Sequence, residues 1–291
     1  MHAILHNHPD MHILEASAAL DCSRSGYYSH LRKPRRKRRS QDAALASQIR
    51  STFLAARGVY GCERIMRSLR AQGVRHGKNR ISKLMRANGL RVRQKARFIP
   101  RTTIADKSSP VAPNHLLGRP AAERLNQIWF TDITYIQTAE GWLYLAAEMD
   151  AFSRRIIGWS TLDSLDTALP SAALDRALQA RSHAVFAGII HHSDRGCQYT
   201  SAHFRRRLAL CSITQSMSRK ANCYDNATME SFWATLKSEC FGSFIPPSRA
   251  IAHSMIFDYI ETFYNPVRLH SSLNFQSPIA FESSLNSTIN N

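Results

Sequence analysis

Apolar positions along the chain follow two regimes. In the first part they recur every three or four residues, and beyond the middle they gather in short β-branched and aromatic runs. Residues 12–31 predict a short helix, a turn and a second helix, with Ile13, Leu14, Ala18 and Leu20 as the apolar positions of the first and Ser23 as N-cap of the second. The basic run from Arg32 to Arg39, broken by Pro34, predicts a linker. A helix is expected from Asp42, where Leu45, Ile49 and Phe53 are spaced four apart. Two further helices follow, in YGCERIMRSLRAQG with Ile65 and Leu69 inward, and in GKNRISKLMRANGL with Ile81, Leu84 and Met85 inward. Gly73 and Gly89 are placed to stop them, and the pair forms a helix-turn-helix pattern.

Residues 100–125, rich in Pro, Ala and Ser, predict an interdomain linker. Strands are then expected over 127–137, 142–149 and 155–161, with turns at Gly141 and at 150–153. A helix over 167–180, a strand at 188–192, a helix over about 201–211, a strand near 213–215 and a long helix over 226–239 complete the pattern. A three-strand meander followed by alternating helices and strands indicates an α/β fold, a mixed sheet covered by helices. The expected organisation is a helical region over 1–99, a linker over 100–125, an α/β core over 126–240 and a helical extension over 241–291.

Charge changes this picture by its placement. Residues 24–101 hold 23 Lys and Arg against two acids, Asp42 and Glu63, a surplus larger than the +18 of the whole chain. A basic block with helical periodicity is the electrostatic footprint of a DNA-binding module, because neutralising phosphates releases counterions. Lys78, Asn79, Arg80, Lys83 and Arg86, on the second helix of the pair, are the candidates for contacting bases or phosphates. A basic solvent face on an ordinary helical pair is the blander account. The composition is that of a folded protein, no apolar run reaches the roughly 18 residues that cross a bilayer, and MHAILHNHPDM has neither a basic n-region nor a long apolar stretch, so a cytoplasmic protein without a membrane partner is expected. The six cysteines are scattered and read as reduced thiols. His2, His6, His8 and His12 include two H-x-x-x-H pairs, but no cysteine pair accompanies them, and a mobile or DNA-facing start is preferred to a zinc site.

Three carboxylates stand out. Asp132 interrupts the strand pattern of IWFTDITYI, where an acid is disfavoured unless paired or metal-bound. A salt bridge or a solvent-facing edge is the alternative. Asp194 follows the apolar run GIIHH, at the strand end where open α/β sheets bind ligands. Glu230 lies on the helix beginning near Asp225 and Asn226, sharing a face with Asn226 and Lys237, while Phe232, Leu236 and Trp233 point to the sheet. Converging acids repel unless a cation neutralises them, and magnesium takes oxygen donors. A pair of such ions serves in-line displacement at phosphorus. Asn226 and Lys237 are candidates for holding DNA near these acids, against an N-cap and a surface charge respectively. His192 reads as a residue closing its strand rather than a ligand, Tyr264, Asn265, Arg268 and His270 as a structural or DNA-backbone motif, and Asp150 as an acid without a catalytic part.

WFTDITY, HSDRGCQY and YDNATMESFWATLKSE, with 35 residues between Asp194 and Glu230, resemble the DDE motif of retroviral-type integrase cores. SRSGYY, YGCERI, GKNRISKLMRANGL and YNPVRLHSSLNFQSPIAFE extend the likeness over nearly the whole chain to the second-frame product, OrfB, of the insertion-sequence-three transposases. Cys197 and Cys223 depart from it, where Ser and Pro are commoner. The resemblance implies an RNase H-like core, Asp132, Asp194 and Glu230 as a metal-binding triad, and magnesium, with manganese as a substitute, in DNA cleavage and strand transfer. It also implies double-stranded DNA partners (element ends and target), a first-frame companion protein and a homo-oligomer on DNA. A DNA-binding repressor with a silent core, and a plain nuclease, are the competing readings.

Overall fold

The computed structural model describes residues 7–32, 35–92, 111–182, 185–219 and 226–289. His2, His6, Pro34, Cys223 and Asp225, with residues 93–110 of the connecting segment, lie outside them.

The first two helices are α1 (Ile13–Ala19) and α2 (Arg24–Arg32), and the Ser23 hydroxyl accepts from Gly26 N as the expected cap. Leu14 and Leu20 are exposed, so Ala16 is the buried position of α1. The next helix, α3, spans Arg35–Ala55 and begins well before Asp42, so most of the basic run is helix, not linker. Arg and Lys are good helix formers. Helices α4 (Cys62–Ala71) and α5 (Lys78–Ala87) complete the bundle. Leu45, Ile49, Ile65, Leu69 and Ile81 are almost fully buried between the three helices. Gly73 and Gly89 end α4 and α5 with φ of +83° and +67°, values that a side chain would penalise.

Strands β1 (Ile128–Thr138), β2 (Gly141–Asp150) and β3 (Ile156–Leu162) form an antiparallel meander. Helix α6 (Ala168–Ala180) leads to β4 (Ile190–Ser193), which runs parallel to β1. The short helix α7 (Cys197–Thr200) and α8 (Ala202–Leu210) lead to β5 (Thr214–Met217), parallel to β4. The five-stranded order is β3-β2-β1-β4-β5, the mixed sheet that the pattern predicts. One face packs Trp129 with Leu174, Tyr199, Phe204 and Leu208 of the covering helices. Gly158 permits the closest approach there. A Cβ at this position would sit 2.2 Å from Ala173 O and 2.6 Å from Ala177 N, inside the α6 backbone.

The other face is covered by α9 (Ala227–Leu236), continued by a π-helical turn Lys237–Phe241, and by α10 (Arg249–Phe257), continued likewise over Asp258–Tyr264. The expected single helix to Glu239 therefore changes its winding at Lys237. Helix α11 (Pro278–Ile289) closes the described chain, and Glu282 on it accepts from Arg155 and Arg181. Among the described residues no helix is long and apolar enough to cross a membrane.

The helical bundle, this sheet face and the C-terminal helices share one apolar core, from Leu45 and Ile65 through Leu145 and Trp233 to Ile260 and Phe263. Tyr60 fastens it. Its hydroxyl donates to Val267 O and accepts from Leu269 N, and Arg57 pairs with Asp258. Beside this seam Arg268 makes a bidentate buried pair with Glu239, which also accepts from Tyr259. The segment read as structural or backbone-binding is built into this core. Tyr264 is buried against Phe232, and Asn265 bonds both Ile156 N and Ile156 O.

His270 is pushed down to about 3 by burial and by the charges of Arg268, Arg64 and Arg154. Its folded value lies below its ordinary one, so the stability it contributes is full above about pH 6.5 and is lost as pH falls toward 3. Replacing His270 by Gln should flatten the acid limb of a pH-stability curve between those limits. An unchanged limb counts against the assignment. Gly158→Val should lower stability by ~3 kcal/mol or prevent folding, read from the urea midpoint of the full chain. A midpoint within error of wild type would mean that α6 does not sit so close.

Candidate active site

Strand β1 is hydrogen-bonded on both edges, so alternate residues face the two helical layers. Asp132 faces α9. Its Oδ2 accepts from Trp233 Nε1 at 2.9 Å, and its Oδ1 from Ile133 N at 2.8 Å. Trp233 therefore does more than fill the sheet interface expected of it: its indole is polar furniture of the site. Asp194 follows β4 on the neighbouring parallel strand, where its Oδ1 accepts from Gly196 N at the start of α7. Burial, then the charge of Asp194, push the Asp132 carboxyl up to about 7, with a smaller contribution from Glu230. The three acids thus share one electrostatic environment. Glu230 is exposed on the first turn of α9, and partial burial raises its carboxyl. Among the described residues no three His, Cys, Asp or Glu side chains close into a metal-sized cluster.

Asn226 precedes α9, but its side chain does not cap the helix. Instead Nδ2 donates to Thr131 O at 3.1 Å, and its buried Oδ1 has no partner among the described residues. The residue expected beside Glu230 is thereby fixed against the strand that carries Asp132. Lys237, at the end of α9, lies 5.0 Å from the Tyr135 ring centroid and is pushed down to about 8 by burial, against the opposing pull of Asp132. It is a half-buried cation beside the acids, not a plain surface charge.

His192 serves its strand. Nδ1 lies 2.9 Å from Ser216 Oγ and Nε2 3.1 Å from Ser218 Oγ, both on or just beyond β5. Asp150 organises the β2–β3 turn by accepting from Asn126 N, Phe152 N and Ser153 N. Two features went unread in the sequence. Glu148 and His191, both fully buried, meet at 3.0 Å on the sheet face opposite Asp132. Tyr199 lies 3.2 Å from the Thr131 hydroxyl in the same layer. An acid inside the apolar run WLYLAAEM was the available signal for Glu148, the same signal that marked Asp132.

On α5, Asn79, Lys83 and Arg86 are exposed, whereas Lys78 pairs with Glu63 and Arg80 with Asp42. The two acids of the basic block are thus spent on two of its five candidate contacts.

An HTH-like domain model matches residues 40–98, and integrase core domain models match residues 122–223 and 211–278. The insertion element IS600 31 kDa protein of Shigella sonnei is 41% identical over 259 residues, covering 89% of this chain and 94% of that one. The chain belongs to the insertion-sequence transposase family. The IS904 transposase of Lactococcus lactis is 40% identical over 82% of this chain and 93% of its own. InsF of IS3A from Escherichia coli K12 is 37% identical over 90% and 91% respectively. Among solved structures, the HTLV-2 integrase catalytic core in complex with magnesium aligns with a TM-score of 0.37 and 16% identity, over 54% of this chain and 95% of that one. The BIV integrase core aligns with a TM-score of 0.38 and 13% identity, over 57% and 99%. This is an integrase-type polynucleotidyl transferase of a metal-dependent family, and both of its domain types imply DNA binding.

The donors fit a hard cation. Asp132 and Asp194 offer oxygen donors, and burial, then the charge of Asp194, raises the Asp132 carboxyl. Trp233→Phe keeps the ring but removes the N–H that holds one Asp132 oxygen. Strand-transfer rate should fall about tenfold, the value of one hydrogen bond to a charged group, with DNA affinity unchanged. A rate equal to wild type would show the bond to be incidental.

Proposed function

We propose that Asp132, Asp194 and Glu230 form the catalytic carboxylate triad of this insertion-sequence transposase. They would hold two magnesium ions, with manganese as a substitute. The observation that carries the reading is the pair of aspartates on adjacent parallel strands, one of them held by Trp233 from the helix that bears Glu230. Bound ions supply Lewis acidity to both oxygens of an in-line displacement at phosphorus.

The chain's own residues orient that chemistry. Trp233 and the Ile133 amide fix the Asp132 oxygens, and the Gly196 amide fixes Asp194. Glu230 would complete the ligand set from the first turn of α9. Lys237 and Asn226 position the DNA strand beside them, and Asn79, Lys83 and Arg86 track the duplex phosphates with Lys78 and Arg80. Water attacks the phosphodiester at an element end, forming a new P–O bond and releasing a 3′ hydroxyl. That hydroxyl then attacks a second phosphodiester, joining one strand as the former 3′ oxygen of the second departs. The partners in this reading are the element's terminal repeats, the target DNA, a first-frame companion and further copies of the chain.

The deciding experiment incubates the full chain with a labelled duplex of its own element end and magnesium or manganese. Wild type should give cleaved and joined strands, and Asp194→Asn or Glu230→Gln should lower them by at least about a hundredfold. Products equal in wild type and variants would overturn the triad.

A further inference from the structure

Behind α9 lies a cavity of about 650 Å³, bounded by the α4 end of the bundle, the β2–β3 turn and the segment after α10. Thr228, Ser231, Thr235 and Ser238 line it along one stripe of α9 and its π-helical continuation. Three arginines enter it from three different parts of the chain. Arg64 comes from α4 and spends Nε on Leu269 O; Arg268 comes from the C-terminal segment and is paired with Glu239. Arg154 comes from the β2–β3 turn and reaches Thr228 Oγ1 through one nitrogen.

Arg154 has a φ of +62°, a left-handed conformation that penalises a residue with a Cβ. Strain of this kind gathers at binding sites, where the fold holds it for a purpose. Glu239 is the one carboxylate among the cavity's described lining residues and already accepts from Arg268 and Tyr259, so three arginines face a single carboxylate there. The buried Nε2 of His270, on the same wall, has no hydrogen-bond partner among the described residues.

We propose that this cavity grips consecutive backbone phosphates of one DNA strand, with Arg64 and Arg154 as the cations and the α9 hydroxyls as neutral donors. Guanidinium forks and hydroxyls are the groups that proteins turn toward phosphate oxygens. The hydroxyl stripe extends over about 15 Å at 1.5 Å per residue, longer than a single phosphate or pyrophosphate. The site rests on the reading that the chain acts on DNA. It adds a contact on the side of α9 away from the aspartates, so that the helix bearing Glu230 is held between DNA behind it and the acids before it.

The test uses the full chain without metal, which separates binding from chemistry. Anisotropy of a labelled element-end strand, single or duplexed, is titrated across about 0.05–0.2 M salt. Arg154→Gln should weaken binding about five- to tenfold and lower the salt slope by about one, and Arg154→Lys should restore most of that slope. Ser272→Glu, at an exposed position on the cavity wall, should weaken binding without altering the thermal midpoint. Wild-type affinity and slope in both Arg154→Gln and Ser272→Glu overturns the proposal. So does a result in which inorganic pyrophosphate raises the thermal midpoint of wild type but not of Arg154→Gln while DNA affinity is the same in both, since that makes the cavity a small-anion site. If Arg154→Gln binds as wild type while Asp194→Asn alone loses products, the cavity assignment fails and the transferase reading stands. Weakened binding by Arg154→Gln with no metal-dependent product from any chain would support the cavity and sink the triad.

Discussion

A carboxylate set in an apolar strand must be solvated by the protein around it. For Asp132 the Ile133 amide serves one oxygen, and Trp233 comes down from the covering helix to serve the other with its indole N–H. The rest of the architecture follows from holding α9 at that height. Phe232 and Leu236 seat it on the sheet, Tyr264 packs against Phe232 from beyond, and Asn226 ties its start to Thr131. A helix so constrained presents Glu230 on its free side without needing the glutamate itself to be packed.

The DNA-binding bundle is not an appendage to this arrangement. Tyr60 completes the backbone hydrogen bonding of Val267 and Leu269, and buried side chains from α3, α4 and α5 belong to the same core as the sheet face. The HTH-like helices and the helix that bears Glu230 are therefore parts of one packed body, coupled by side chains that cannot be displaced cheaply. Movement of α5 along DNA would be felt at α9 through the seam rather than through a flexible tether.

Much of this was legible in the sequence, and for physical reasons. The strand meander, the parallel crossovers and the inward stripe of Leu45, Ile49 and Ile65 are periodicities that burial enforces locally. Asp132 was visible because an acid in an apolar run is an anomaly. Glu148 is the same anomaly and went unread, since its explanation, His191, lies two strands away across the sheet. The helix over the basic run is hard to read from sequence because like charges crowd there as they do in linkers, although Arg and Lys favour helices. The polar identity of Trp233, the pairing of Arg80 with Asp42 and the merger of the C-terminal segment with the bundle are long-range facts, and no spacing of residues announces them.

Two of the C-terminal helices widen into π-helical turns, at Lys237–Phe241 and Asp258–Tyr264. Such turns ordinarily carry one residue more than a regular helix would hold. Losing a single residue from either would close the widened turn to regular winding and move the side chains on it out of their present register. Glu239 and Arg268 lie on or beyond those turns, so their pairing depends on residue count as much as on residue type. Over the course of sequence drift, this stretch should accept exchanges of side chain far more readily than a change in length. In that sense the C-terminal third carries a spacing ruler, set by the winding of the backbone and indifferent to much of its chemistry.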